Sequence, residues 1–91
     1  MHAVVVSVNV EPGHEQEGVE YLSSNVVPLV KQGPGFISGY WLAVKEGQGL
    51  SVLLFESEEA AQGAAGMAKQ APTPPFSTIA AVDVREVVAQ A

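Results

Sequence analysis

Valines occupy every second position from Val4 to Val10, and this period-two pattern of β-branched residues predicts a strand. The run stops at Glu11-Pro12-Gly13. From His14 to about Gln32 the apolar residues recur at three- and four-residue spacing instead, which predicts a helix that covers another layer with one stripe. Pro28 lies inside this helix, and we expect it to kink the helix or restart its last turn because proline removes one backbone hydrogen bond.

After the helix, the pattern returns to strands. Gly33-Pro34-Gly35 ends the helix, and aromatic and apolar residues predict a strand over Phe36 to Lys45. The glycines of Gly47-Gln48-Gly49 favour a hairpin turn, followed by a return strand over Leu50 to Glu56. Ser57 then offers a hydroxyl cap for a second helix whose first turn is acidic.

The second helix is weak by itself. Gly63 and Gly66 each cost it about 1 kcal/mol relative to alanine, so it depends on packing. A stripe of small residues would let its backbone approach the sheet, namely Ala60, Ala64 and Ala68. A rigid loop over Pro72 to Pro75 leads to a last strand over Ile79 to Ala89.

The predicted order is strand, helix, strand, strand, helix, strand. We interpret residues 1–91 as a single ferredoxin-like βαββαβ domain of the α+β class, with a four-stranded antiparallel sheet and two helices on one face. Crossover rules place the first and third strands side by side, and we expect this central pair to run parallel.

The face of the sheet away from the helices is also apolar, because each strand carries apolar residues at both parities. A solvated antiparallel face would alternate with polar residues. Four strands of roughly seven residues cover on the order of 440 Å², about the size at which exposed patches become interfaces. We therefore expect a homodimer that forms through the sheet face.

Composition excludes several classes of function. Ten acidic residues against four basic ones give a net charge of -6, which repels nucleic acid and anionic membranes. The absence of cysteine rules out thiolate catalysis and cysteine-based metal sites. The first apolar run is too short for a membrane-spanning helix, so the expected location is the cytoplasm, with no membrane partner.

Three phrases of the sequence resemble a known family: Val4-Val5-Val6, Gly33-Pro34-Gly35-Phe36 and Phe55-Glu56-Ser57-Glu58-Glu59-Ala60. Together with the element order, they resemble the dimeric α+β barrel superfamily, in particular its antibiotic-biosynthesis-monooxygenase-like branch. The resemblance implies a homodimer whose two sheets close into a barrel, with a ligand pocket in each subunit between helices and sheet. Members include oxygenases that need no metal or flavin, haem-degrading enzymes, isomerases and proteins of no known activity.

The resemblance also implies site residues. Asn9 matches the strand-one asparagine that hydrogen-bonds substrate or oxygen in haem-degrading and oxygenase members. The alternative is that Asn9 caps the strand end beside Pro12 and Gly13. The tryptophan that the family places at the end of strand three is Phe55 here, and residues 57–71 contain no histidine. Haem ligation is therefore not expected, and we expect no cofactor.

Tyr40 and Trp41 are the aromatic candidates, and alternation lets only one of them face the helices. A two-residue turn at Gly47-Gln48 places Tyr40 opposite Phe55 on that face and Trp41 in the barrel interior. We favour this register, whereas a three-residue loop would reverse it. Ser7, Phe55 and Trp41 are the expected pocket lining.

His14 lies beside Glu11 and Glu17 and could act as a general base, although a lone histidine in an acidic helix start is usually a solvated surface residue. His2 and His14 lack metal-ligand spacing, so no metal site is expected. The favoured function is cofactor-independent oxygenation of a small aromatic substrate by Asn9, Tyr40 and His14. The alternative is a non-catalytic, ligand-binding or stress-associated dimer.

Overall fold

A computed structural model describes residues 1–91 and contains a four-stranded sheet in the order β2-β3-β1-β4. The strands are β1 (His2–Val10), β2 (Phe36–Lys45), β3 (Gln48–Phe55) and β4 (Ser77–Glu86). Every pair of neighbours is antiparallel. The ferredoxin-like arrangement is thereby confirmed.

The expected parallel pairing of the first and third strands was wrong, because β1 and β3 are adjacent but antiparallel. The reason lies in the connections. The crossover from β1 returns the chain parallel to β1 in β2, and the tight hairpin then reverses it, so that β3 runs against both of its neighbours.

The first helical segment, Glu15–Lys31, is not one regular helix. It consists of α1 (Glu15–Tyr21), a π-helical turn (Leu22–Val26) and α2 (Val27–Lys31). Pro28 lies in the first turn of α2, where its missing N–H costs least. The predicted interruption at Pro28 is confirmed, and the wide turn before it accommodates the lost hydrogen bond.

The second helix, α3 (Glu58–Gln70), is capped as expected. The Ser57 hydroxyl accepts a hydrogen bond of 3.1 Å from the Ala60 N–H. Ala61 and Ala65 are the buried residues of α3, whereas the alanines predicted to touch the sheet are only half-buried and pack around the core: Ala60, Ala64 and Ala68. The core therefore consists of Ala61 and Ala65 packed on Phe55, Val4 and Leu53, with the half-buried alanines of α3 around them.

Gly63 and Gly66 both face open space, where an added methyl group meets nothing within 4 Å. We expect Gly63→Ala to raise the free energy of unfolding by about 0.5–1 kcal/mol, because alanine has less backbone entropy to lose in a helix. Urea denaturation measures this change. Gly66→Ala should give a similar gain, and a loss of stability in both variants would contradict the exposed placement of this helix face.

The β2–β3 hairpin turns at Glu46-Gly47, and both residues have positive φ angles of 54° and 78°. Lys45 pairs with Gln48, so the loop has two residues and the backbone of a type I′ turn. The register shifts again between Leu42 and Lys45. None of the helices in the fold combines the length and apolar character needed to cross a membrane.

Candidate functional site

Trp41 faces the helices, and Tyr40 faces away from them. Trp41 pairs with Ser51 and Tyr40 with Val52. The favoured sequence interpretation, with Tyr40 opposite Phe55, was wrong. The hairpin turns one residue earlier than assumed, which shifts the pairing by two residues, and the bulge in β2 shifts it by one more, so the total shift is odd. An odd shift of register moves every side chain of a strand to the other face.

The open face of the sheet is apolar and uncovered, as expected. Its large side chains on β2 and β3 are strongly exposed: Tyr40 60 %, Leu42 51 % and Leu50 39 %. Alternation places Asp83 and Arg85 on the same face of β4, where Arg85 Nε donates a hydrogen bond of 2.9 Å to Asp83 Oδ2. This bond holds the pKa of the exposed Asp83 carboxyl below its ordinary value. The uncovered face is thus an apolar surface with one ion pair at the β4 edge.

The helical layer covers the other face unevenly. Helix α3 contacts β1, β3 and β4 and buries Ala61 and Ala65. The first helical segment buries no residue at all, although α2 contacts β2 and Val30 reaches the core. Val19, an apolar residue of α1, is 51 % exposed. The half of the sheet near β2 is therefore only loosely covered.

Trp41 lies in this loosely covered half and is half-buried. A methyl group at Gly39 would lie 3.1 Å from Cζ3 and Cη2 of the indole, so the ring lies against the bare backbone of Gly39. Ser51, the pairing partner of both Trp41 and Val6, places a hydroxyl on the same face. Sequence reasoning missed Ser51, although counting back by twos from buried Phe55 would have found it.

Asn9 and Ser7 point away from this layer. Ser7 pairs with Leu50 and Asn9 with Gln48, which puts both on the open face by alternation. Asn9 is exposed and borders a shallow hollow of about 210 Å³ at the end of the sheet, together with Glu11, Phe76 and Ser77. This hollow is separate from Trp41 and Phe55.

His14 lies near the same end of the sheet. Its ring stacks on Phe76 with centroids 4.9 Å apart and an interplanar angle of 4°. Its Nδ1 is 2.8 Å from Glu17 Oε1, so a carboxylate orients the imidazole. His14 therefore adjoins this hollow by its contact with Phe76, and Asn9 borders the same hollow.

The structure thus divides the six predicted site residues among three places. Phe55 and Trp41 are on the helix face; Ser7, Asn9 and Tyr40 are on the open face; His14, at the start of α1, stacks on the α3–β4 loop beside the hollow that Asn9 also borders. A single pocket lined by all of them is not formed within one chain. No group of three or more histidine, cysteine or acidic side chains is placed to hold a metal ion.

Comparison with solved structures finds the same fold. MhuD, a haem-degrader from Mycobacterium tuberculosis with two haems bound in its active site, is 22 % identical, with a TM-score of 0.77 over 100 % of this chain and 99 % of MhuD. An arginine-to-serine variant of MhuD, with two manganese protoporphyrin IX molecules per active site, is 23 % identical, with a TM-score of 0.72 over 100 % and 98 % of the two chains.

A protein of unknown function from Nitrosomonas europaea is 21 % identical, with a TM-score of 0.66 over 99 % of this chain and 91 % of that protein. At these identities the likeness shows the fold. No curated protein matches the sequence significantly. The profile of the antibiotic biosynthesis monooxygenase family matches residues 1–68, about three quarters of the chain. The chain belongs to the antibiotic biosynthesis monooxygenase family.

Proposed function

We propose that the chain forms a homodimer in which each subunit binds a small planar aromatic molecule between the first helical segment and the sheet, and oxygenates it with dioxygen. The observation that carries the proposal is the uneven helical layer. It leaves the Trp41 indole half-buried, against Gly39 and beside Ser51, on the half of the sheet that only α2 of the first helical segment contacts.

The surface area of the chain supports the homodimer. The chain exposes 5967 Å², whereas a monomer of 9.5 kDa usually exposes roughly 5,000 Å². The surplus of roughly 900 Å² is close to the area of about 800 Å² that each partner hides in a standard interface. Only nine of the 91 residues are buried, so a second copy on the open face would supply the burial that the chain lacks.

The residues around Trp41 fit a flat, uncharged ligand. An indole stacks on aromatic rings with centroids roughly 4.5–7 Å apart, and the Ser51 hydroxyl can donate to a phenol or carbonyl oxygen of the ligand. The wide π-helical turn, a feature frequently found at functional sites, directly precedes α2, the helix that contacts β2. These residues bind, orient and shield the ligand from water.

Oxygenation of a bound ligand at this site requires few further catalytic groups from the protein. An anthrone, for example, loses the hydrogens of its methylene carbon and supplies all the electrons. One atom of dioxygen becomes the new quinone carbonyl and the other leaves as water. A dry site favours this reaction because it protects the reactive anion from competing protonation.

Binding without turnover is the second candidate function. It is favoured by the absence of a charged side chain beside Trp41 on its strand pair.

Haem, the ligand of the MhuD structures, does not fit the residues present. Haem iron is held in proteins by histidine, cysteine, methionine or tyrosine. The sheet-facing side of α3 carries only alanines, and Ala61 and Ala65 are buried against the sheet, which leaves no room for a macrocycle there. Met67 is the one residue of α3 with a side chain of a ligating type, and it is 63 % exposed. No step of the proposed reaction passes through haem.

Fluorescence of Trp41, the only tryptophan of the chain, tests the proposed site. We expect dithranol, a dihydroxyanthrone, to quench this fluorescence saturably and Ser51→Ala to weaken binding about fivefold, the value of one hydrogen bond. Ser38→Ala, on the open face, is the matched control and should bind as the wild type does. Quenching that neither saturates nor responds to Ser51→Ala would refute the site.

An oxygen electrode separates the two candidate functions. Oxygen consumption that exceeds the uncatalysed oxidation of dithranol, and that falls in Ser51→Ala, supports oxygenation. Saturable quenching without added oxygen consumption supports binding alone. A haem titration completes the experiment, since we expect no shift of the haem absorption band on mixing.

A further inference from the structure

Helix α1 is attached to the rest of the fold by its ends rather than by its apolar stripe. None of its residues is buried, and its main contacts are with the π-helical turn that follows it. Val19, in the middle of the helix, leaves half of its surface exposed. Ordinary amphipathic helices are held by the burial of such residues, so another interaction must fix α1 in place.

Two contacts with the α3–β4 loop, Ala71–Phe76, supply that interaction. At the start of α1, the His14 ring stacks on Phe76 at 4.9 Å. At its end, the Tyr21 hydroxyl donates a hydrogen bond of 3.2 Å to the Pro72 carbonyl. Each contact contributes about 1 kcal/mol in the usual range, a strength that thermal motion can overcome.

The loop itself is a firm anchor. Three of its residues are prolines, at 72, 74 and 75, which restrict the backbone. The Glu11 N–H donates to the Phe76 carbonyl at 2.9 Å, and the Ser77 N–H donates to the Pro74 carbonyl at 3.0 Å. The loop is thereby joined to the end of β1 and the start of β4, and it can hold α1 without moving with it.

The π-helical turn provides the hinge. Its backbone pattern is irregular, and Pro28, the second residue of α2, cannot donate a hydrogen bond to the preceding turn. We propose that α1 is a lid that rotates about Leu22–Val26 and is latched to the α3–β4 loop by His14 on Phe76 and by Tyr21 on Pro72. Its role in admitting an aromatic ligand to Trp41 rests on the proposed function, whereas the latch does not.

Hydrogen exchange of the backbone amides tests the latch directly. Tyr21→Phe removes one contact and should speed exchange over Glu15–Tyr21 about fivefold. Phe76→Ala removes the stack and should speed it about tenfold. Exchange within α3 should not change in either variant. Tyr40→Phe, which removes a phenol hydroxyl on the open face, is the matched control and should leave α1 unchanged.

Stopped-flow quenching of Trp41 by dithranol tests the role of the lid. In Tyr21→Phe and Phe76→Ala, the association rate should rise by the same factors as the exchange of α1. If the exchange of α1 is unchanged in both variants, the lid is refuted. If the exchange rises but dithranol never quenches Trp41, the lid stands and the proposed ligand site fails.

Discussion

Gly35→Ala is expected to lower the free energy of unfolding by about 2–5 kcal/mol, a large part of the stability of a small domain. Gly35 has a φ angle of +74°, which costs a residue with a Cβ roughly 1–2 kcal/mol. The added methyl carbon would also lie 2.9 Å from the Ala60 Cβ, and such overpacking costs a further 1–3 kcal/mol or so. Urea denaturation of the two proteins gives the difference.

Gly13→Ala is the matched control for this experiment. Gly13 also has a positive φ angle, 91°, but an added methyl group meets nothing within 4 Å. Gly13→Ala should lower the free energy of unfolding only by the cost of the positive φ angle, about 1–2 kcal/mol. Equal losses in the two variants would mean that the close approach of the α2–β2 loop to α3 does not contribute, contrary to the geometry.

Leu42→Asp is expected to weaken dimerisation at least about 100-fold. Leu42 is half-exposed in one chain, so the folded subunit tolerates a carboxylate there. In a homodimer that closes over the open face, the substitution would bury an unpaired charge in each subunit. Because the dimer is symmetric, the free-energy cost of burying the charge arises twice. Sedimentation at several protein concentrations measures the change in Kd.

The control for Leu42→Asp is Leu29→Asp. Leu29 is similarly exposed but lies on α2, on the helical side of the sheet. Its substitution should leave the Kd unchanged. If Leu29→Asp disrupts the dimer and Leu42→Asp does not, then the helices rather than the sheet form the interface.

Local patterns predicted the elements well where several signals agreed. The β-branched run of β1, the N-cap at Ser57 and the break at Pro28 each rest on a residue type with a specific backbone preference. Strand β2 was predicted with its observed bounds, Phe36 to Lys45. The predicted bounds of the last strand, Ile79 to Ala89, were wrong, because β4 spans Ser77–Glu86 and the apolar residues that continue beyond Glu86 do not extend it.

The hairpin register could not be read from the sequence. Gly47 and Gly49 both favour a turn, and the observed turn is Glu46-Gly47, in which Glu46 has a positive φ angle that non-glycine residues rarely adopt. A β-bulge then shifts the register again. Since this one-residue shift exchanges the two faces, Tyr40 and Trp41 were predicted on the wrong sides.

The candidate site depends on the same distinction between faces. Asn9 was assigned by its similarity to a family position, but the alternation of β1 puts it with Ser7 on the open face. In the proposed dimer that face is covered, so Asn9 and Tyr40 would lie at the interface of the two sheets. Their roles as catalytic residues remain predictions, and a variant such as Asn9→Ala tests them by its oxygen consumption with dithranol.

Sedimentation equilibrium of the unmodified protein at micromolar concentration is the most direct test of the account. If a second copy covers the exposed apolar face of the sheet, we expect a species with twice the 9.5 kDa mass of one chain. A species with the mass of a single chain at that concentration would contradict it.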